Sequence, residues 1–129
     1  VPSALVSSQQ LNDFGTISMK NGNVSKDFVV SNPTKTAVII NSVSTSCMCT
    51  SALIVEADGN NKGPFGMASM GGNVTANETI GPGESRTIRV VYDPNAHGPA
   101  GVGQIDRFVT LTDTSGGSLQ LEIKATVTP

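Results

Sequence analysis

Tryptophan is absent from this 129-residue sequence, tyrosine and histidine each occur once, and aromatic residues make up only 4%. So few flat rings leave little surface on which nucleic-acid bases would stack. Charge is equally thin, at 14% of residues against roughly 25% in an average soluble domain. Eight basic side chains stand against ten acidic ones, for a net charge of −2. No basic field is therefore available to hold nucleic acid or an anionic membrane surface. No apolar run approaches the roughly 20 residues of a membrane span. Nucleophile-elbow, phosphate-loop and paired-carboxylate patterns are missing too, so no catalytic residue is expected and the chain does not read as an enzyme. The "GPGES" stretch (81–85) carries glycines but has no lysine and opens no helix; it reads as a turn between strands. Asp93 opens a "DPN" turn, and Glu56 and Asp58 read as solvated loop charge.

Cysteine is scarce as well, with two residues, Cys47 and Cys49. A disulfide framework is thereby excluded. A chain of this length forms one domain, 1–129, and buries a core without one. The sequence opens "VPSALVSSQQ" without an initiator methionine. It is expected to be the mature part of an exported chain, in an extracytoplasmic (periplasmic or secreted) location.

What is present is serine, threonine, asparagine and glycine around short alternating runs. "DFGTIS" (13–18), "VSKDFVVSN" (24–32), "AVIINSVSTSC" (37–47), "SRTIRVVYD" (85–93), "DRFVTLT" (106–112) and "LQLEIKATV" (119–127) read as strands. Ile88, Val90 and Tyr92 share one face, as do Val109 and Leu111. Leu119, Leu121, Ile123, Ala125 and Val127 form the longest such series. The stretch after residue 47, up to "ANETIGPGE" (76–84), shows no strong periodicity, and "TSGG" (114–117) marks a hairpin turn. Period-two runs separated by turn signals predict an all-β fold, an antiparallel sandwich of about seven strands.

The line from Phe14-Gly-Thr-Ile17, through Phe28…Asn32 and Ser46-Cys-Met-Cys-Thr50, to Pro82-Gly-Glu-Ser85 and Tyr92-Asp93 resembles the DUF1573 family of bacterial immunoglobulin-like domains. The resemblance runs over residues 13–127, and its most specific element is Ser-Cys-x-Cys-Thr. It implies the immunoglobulin-like sandwich shared with major sperm protein, hydin-type and PapD-like domains, and little settled function. Met48 stands where that pattern usually has glycine, and the 53–77 stretch, with Met67 and Met70, is longer than the pattern expects.

Three readings of the cysteine pair follow. Two residues one apart on a strand face the same way, so both sulfurs continue the face of Val43 and Thr45. They are packed as small apolar thiols, or bonded to each other, or they hold a metal. In a flat strand their Cα atoms would sit about 6.5 Å apart, near the limit for a disulfide. Such a bond would need a turn, would be easily reduced, and would act as a redox element. Two thiolates with thioethers nearby make a soft donor set that suits Cu(I) or Zn, and thioether, a poor zinc ligand, tilts the choice towards Cu(I).

In the sandwich implied by the resemblance, the connections holding Met19, Cys47–Cys49 and His97 lie at one end, and the loop with Met67 and Met70 leaves from it. The expected metal site is therefore Cys47 and Cys49 with a third donor from His97, Met67 or Met70, binding Cu(I) for capture, storage or transfer. A metal-free interaction module, in which an exposed edge strand accepts a protein partner, and a thiol–disulfide redox module are the alternatives. Met48 points away from its neighbours and is expected to pack. Met19 is expected in the core or at its rim.

Overall fold

The structure, a computed structural model, describes residues 2–56, 58–67 and 74–129. Among the described residues, ten strands form two five-stranded sheets. They are β1 (Val6–Ser7), β2 (Leu11–Ser18), β3 (Val24–Ser31), β4 (Val38–Thr45), β5 (Thr50–Val55), β6 (Asn61–Phe65), β7 (Thr75–Ile80), β8 (Ser85–Tyr92), β9 (Gly103–Asp113) and β10 (Ser118–Thr128). One sheet runs β1-β3-β8-β5-β6 and the other β2-β10-β9-β4-β7. All pairs are antiparallel except β10 with β2, which run parallel. Among the described residues no helix is long and apolar enough to cross a membrane.

The antiparallel sandwich expected from alternation, immunoglobulin-like as the resemblance implies, is the fold observed, with ten strands among the described residues where about seven were expected. The six runs read as strands correspond to β2, β3, β4, β8, β9 and β10. The stretch lacking periodicity adds β5, β6 and the start of β7. Alternation explains the core directly. Ile88, Val90 and Tyr92 on β8 are buried, as are Val109 and Leu111 on β9 and the whole Leu119-to-Val127 series on β10. Side chains from the two inner faces meet in the gap between the sheets.

Polar groups close the ends of this core. Asn32, fully buried after β3, donates through Nδ2 to the Thr36 and Ile80 carbonyls and accepts from the Thr34 amide and hydroxyl. "GPGES" is the turn from β7 to β8, with the Glu84 amide donating to the Gly81 carbonyl. Asp113 organises the β9–β10 hairpin. Its carboxylate accepts from the amides of Ser115 and Gly117 and from the hydroxyls of Ser115 and Ser3. Gly117 is needed there, because a Cβ would come within 2.8 Å of the Ser3 Cα and 2.9 Å of the Pro2 carbonyl.

Burial alone would raise the Asp113 pKa, but the bonds from Ser115, Ser3 and Gly117 outweigh it and hold the carboxyl below its ordinary range. A depressed carboxyl stabilises the fold above its unfolded pKa, and that stability is lost as pH falls through the folded value. Asp113→Ala is expected to cost about 2 kcal/mol near neutral pH and to flatten the acid limb of the stability profile. Urea unfolding at pH 7 and pH 3 measures both; an unchanged midpoint at pH 7 contradicts the assignment.

Candidate functional site

The two cysteines occupy the corner where the chain leaves one sheet for the other. β4 belongs to the sheet of β9, and β5 to the sheet of β8. Residues 46–49 carry the crossing. The Thr45 hydroxyl donates to the Cys47 carbonyl at 2.9 Å, and the Thr50 amide donates to the same carbonyl at 3.1 Å, closing a tight turn. Ser46 is held to β9 by its amide on the Phe108 carbonyl and by the Phe108 amide on its Oγ, both at 2.9 Å. Asp93, just past β8, donates its amide to the Cys49 carbonyl at 2.8 Å. The turn is thus pinned to both sheets.

This corrects the extended geometry expected for the pair. The turn shortens the Cα–Cα distance to 5.2 Å, and Cys47 and Cys49 are joined as a disulfide. Both still face inward, as the series from Val43 and Thr45 predicts; Cys47 retains 8% exposure and Cys49 3%. Met48 does not pack: the turn directs it into solvent, at 54% exposure.

The other connections meet here. The Asn95 side chain donates to the Met19 carbonyl at 2.9 Å, tying the β8–β9 loop to the β2–β3 turn. Within that loop Asp93 Oδ1 accepts the Asn95 amide, as its turn role predicts. Met19 is partly buried against the core rim. His97, exposed on its outer side, brings Nε2 to 3.1 Å from the Cys47 sulfur. The ligand atoms of Cys47, Cys49 and His97 all lie within 4.8 Å of one another. The Thr45 amide donates to the Gly66 carbonyl at 3.2 Å, which brings the segment leading to half-buried Met67 alongside the end of β4. Met70 lies outside the described residues.

Two partners of Cys49 were not anticipated. Arg107 Nε donates to its sulfur at 3.4 Å, and the Thr50 hydroxyl lies 3.4 Å from it. The signal for Arg107 was present. It belongs to the same alternating series as Ile105, Val109 and Leu111 on β9, a cation at a position otherwise given to the core. Tyr92 is buried beside the turn, pairing with Thr50 across the sheet. Burial pushes its hydroxyl above the ordinary range, with Arg107 opposing and Asp93 reinforcing. It stays protonated and offers no base.

Chemically, the pole holds a disulfide with an imidazole on one sulfur and a guanidinium on the other. A disulfide sulfur offers no thiolate, so the bonded pair fits the redox alternative better than the Cu(I) clamp.

Comparison with known proteins bears on the fold. The profile of a family described as a protein of unknown function, DUF1573, matches residues 5–59. No match is found among curated proteins. A protein of unknown function from Porphyromonas gingivalis W83 superposes with a TM-score of 0.68 at 15% identity, over 95% of this chain and 46% of that one. The secreted serine protease VesC from Vibrio cholerae gives 0.58 at 12% identity, over 95% and 23%. PapD-like domain 7 of human CEP192 gives 0.57 at 10% identity, over 98% and 87%. The chain therefore spans about half of the first protein and about a quarter of the second. At these identities the likeness concerns the fold. Residues 5–59, which run from β1 through β5 and include the cysteine turn, match DUF1573, and the chain as a whole has an immunoglobulin-like sandwich fold.

Proposed function

We propose that the chain exchanges its Cys47–Cys49 disulfide with a partner dithiol. The observation that carries this reading is the asymmetric setting of the bond: His97 Nε2 lies at the sulfur of Cys47, the less deeply buried residue, and Arg107 with Thr50 at that of Cys49. A disulfide closing a loop with one residue between its ends constrains the unfolded chain far less than the ~3 kcal/mol expected of a 15-residue loop. Structural stapling is therefore a weak reason for its presence.

The chemistry is a two-step exchange. A partner thiolate attacks the Cys47 sulfur, forming a mixed disulfide and breaking the Cys47–Cys49 bond. Cys49 leaves as a thiolate, and the Arg107 guanidinium stabilises its negative charge. A second partner thiolate then attacks the partner's own sulfur in the mixed disulfide. The partner leaves oxidised, and Cys47 is released as a thiolate beside His97. Two electrons pass to the pair; a disulfide-bearing oxidant takes them back to restore it. A working disulfide belongs in an oxidising compartment, so an extracytoplasmic location is part of the proposal. The partner is a protein or small thiol, and the chain acts as a stoichiometric disulfide carrier rather than a catalyst.

Equilibration in glutathione buffers, quenched in acid and read by mass spectrometry, tests the reading. The pair should interconvert within a window of roughly −300 to −150 mV. A pair that neither opens nor closes across that window leaves a metal-free scaffold. Arg107→Ala should make the reduced form less stable, because the Cys49 thiolate loses its countercharge. The midpoint is expected to fall by roughly 15–30 mV, with slower reduction; an unchanged midpoint removes Arg107 from the mechanism.

A further inference from the structure

We propose that, once reduced, the Cys47 and Cys49 thiolates and His97 Nε2 form a three-coordinate Cu(I) site, and that the disulfide closes it. The inference rests on the exchange reading above only in requiring that the bond can be opened. Three donor atoms from two connections already lie within 4.8 Å of one another. Around a single ion with metal–sulfur bonds near 2.3 Å and metal–nitrogen bonds near 2.0 Å, such donors stand about 4 Å apart. Separating the sulfurs to that spacing is a matter of side-chain rotation, because the Cα atoms are 5.2 Å apart.

The donor set and the local charge both favour Cu(I). Two thiolates and one imidazole are soft to borderline ligands, suited to a soft monovalent ion. A structural zinc site would call for a fourth ligand, and no carboxylate joins this cluster among the described residues. Two thiolates with one Cu(I) and a neutral imidazole carry a net charge of −1. The Arg107 guanidinium, 3.4 Å from the Cys49 sulfur, compensates that charge. His97 is exposed while both cysteines are buried, so an ion enters past the imidazole and ends against the protected sulfurs.

Oxidation reverses uptake. A disulfide-bearing partner accepts two electrons from the thiolate pair and two protons from water, becoming a dithiol. The Cys47–Cys49 bond re-forms, and copper leaves still as Cu(I).

The 129-residue chain is reduced with a phosphine, desalted without oxygen and titrated with Cu(I) against a chromophoric Cu(I) chelator. Free thiols are counted in parallel. One copper per chain is expected for the reduced form and none for the oxidised form. X-ray absorption should show two sulfurs and one nitrogen at about 2.0–2.3 Å. Loss of an outer-shell partner alone typically costs about 10–100-fold in metal affinity. His97→Ala removes a ligand and should therefore cost at least about 100-fold, and Cys47→Ser and Cys49→Ser should each abolish competitive binding. Two counted thiols with no copper bound, or full affinity in His97→Ala, overturns the site. Neither result touches the exchange reading, which is measured without metal.

Discussion

Cys49→Ser is expected to turn a transient intermediate into a stable one. In the reduced wild-type chain, a small disulfide such as oxidised glutathione reacts at Cys47, and Cys49 then displaces the adduct to form the internal bond. Without Cys49 nothing resolves that adduct, and a glutathionylated Cys47 should accumulate to near-stoichiometric yield. Cys47→Ser should behave differently. Its remaining thiol is the deeper one at 3% exposure, and it is held by Arg107 and Thr50 at 3.4 Å. Reaction there should be slower by at least roughly tenfold, since exchange rates depend on access as well as on thiolate character. Mass spectrometry of timed, acid-quenched samples gives both rates. Equal rates for the two variants would remove the asymmetry on which the order of attack depends.

The second large effect concerns stability and lies at the other side of the sandwich. Glu78 on β7 is buried at 4% exposure. One oxygen meets Lys62 Nζ and the other Arg86 Nε, each at 2.7 Å. Lys62 on β6 also reaches the Asn77 carbonyl at 2.8 Å, and Arg86 on β8 the Thr79 carbonyl at 3.0 Å. The cluster therefore ties β7, an edge strand of one sheet, to β6 and β8 of the other. Removing one partner of a buried pair leaves an uncompensated charge, which costs about 3–5 kcal/mol when burial is complete. Lys62 and Arg86 keep 35% and 14% of their side chains exposed, so water recovers part of this. Glu78→Ala is expected to lose roughly 3 kcal/mol, and the melting temperature should fall by roughly 10 °C.

The pH dependence has a defined sign. Burial would raise the Glu78 pKa, but hydrogen bonds from Lys62 and Arg86 prevail and lower it. Stability from Glu78 is therefore complete above the ordinary carboxylate range and disappears as pH falls through the depressed value. Glu56 is pushed up first by the neighbouring Glu78 carboxyl, then by burial. Glu78→Gln should flatten the acid limb that wild type shows below about pH 5. Denaturant midpoints from pH 7 to pH 2 measure it; parallel profiles for variant and wild type would contradict the assignment.

Glu78 also shows where sequence reading stops. On β7 the inward residues are Ala76, Glu78 and Ile80. A carboxylate in the middle of that series erases the apolar alternation that reveals a strand, so the strand was hidden by the residue that anchors it. Glu56, read as solvated loop charge, belongs to the same cluster, 3.6 Å from Lys62. β8 and β10 were legible because their inward positions are all apolar or aromatic. Arg107 fell between these cases: its place in the β9 series was visible, but not the sulfur it would meet.

By itself the sequence determined the sandwich, its main strands and the side to which both cysteines point. Period-two burial is a local property, written residue by residue. The family resemblance, not local pattern, placed His97 at the cysteine pole, because the strand connectivity it implies fixes which loops share an end. Only the tertiary structure decided that the pair sits in a crossing turn and is bonded. That turn exists because Phe108 and Asp93, distant in sequence, hold its two ends to different sheets. The same long-range packing chose Arg107 as the neighbour of Cys49. Hydrogen bonds between residues far apart in the chain leave no spacing pattern to read, and these bonds are what shape the chemistry of the site.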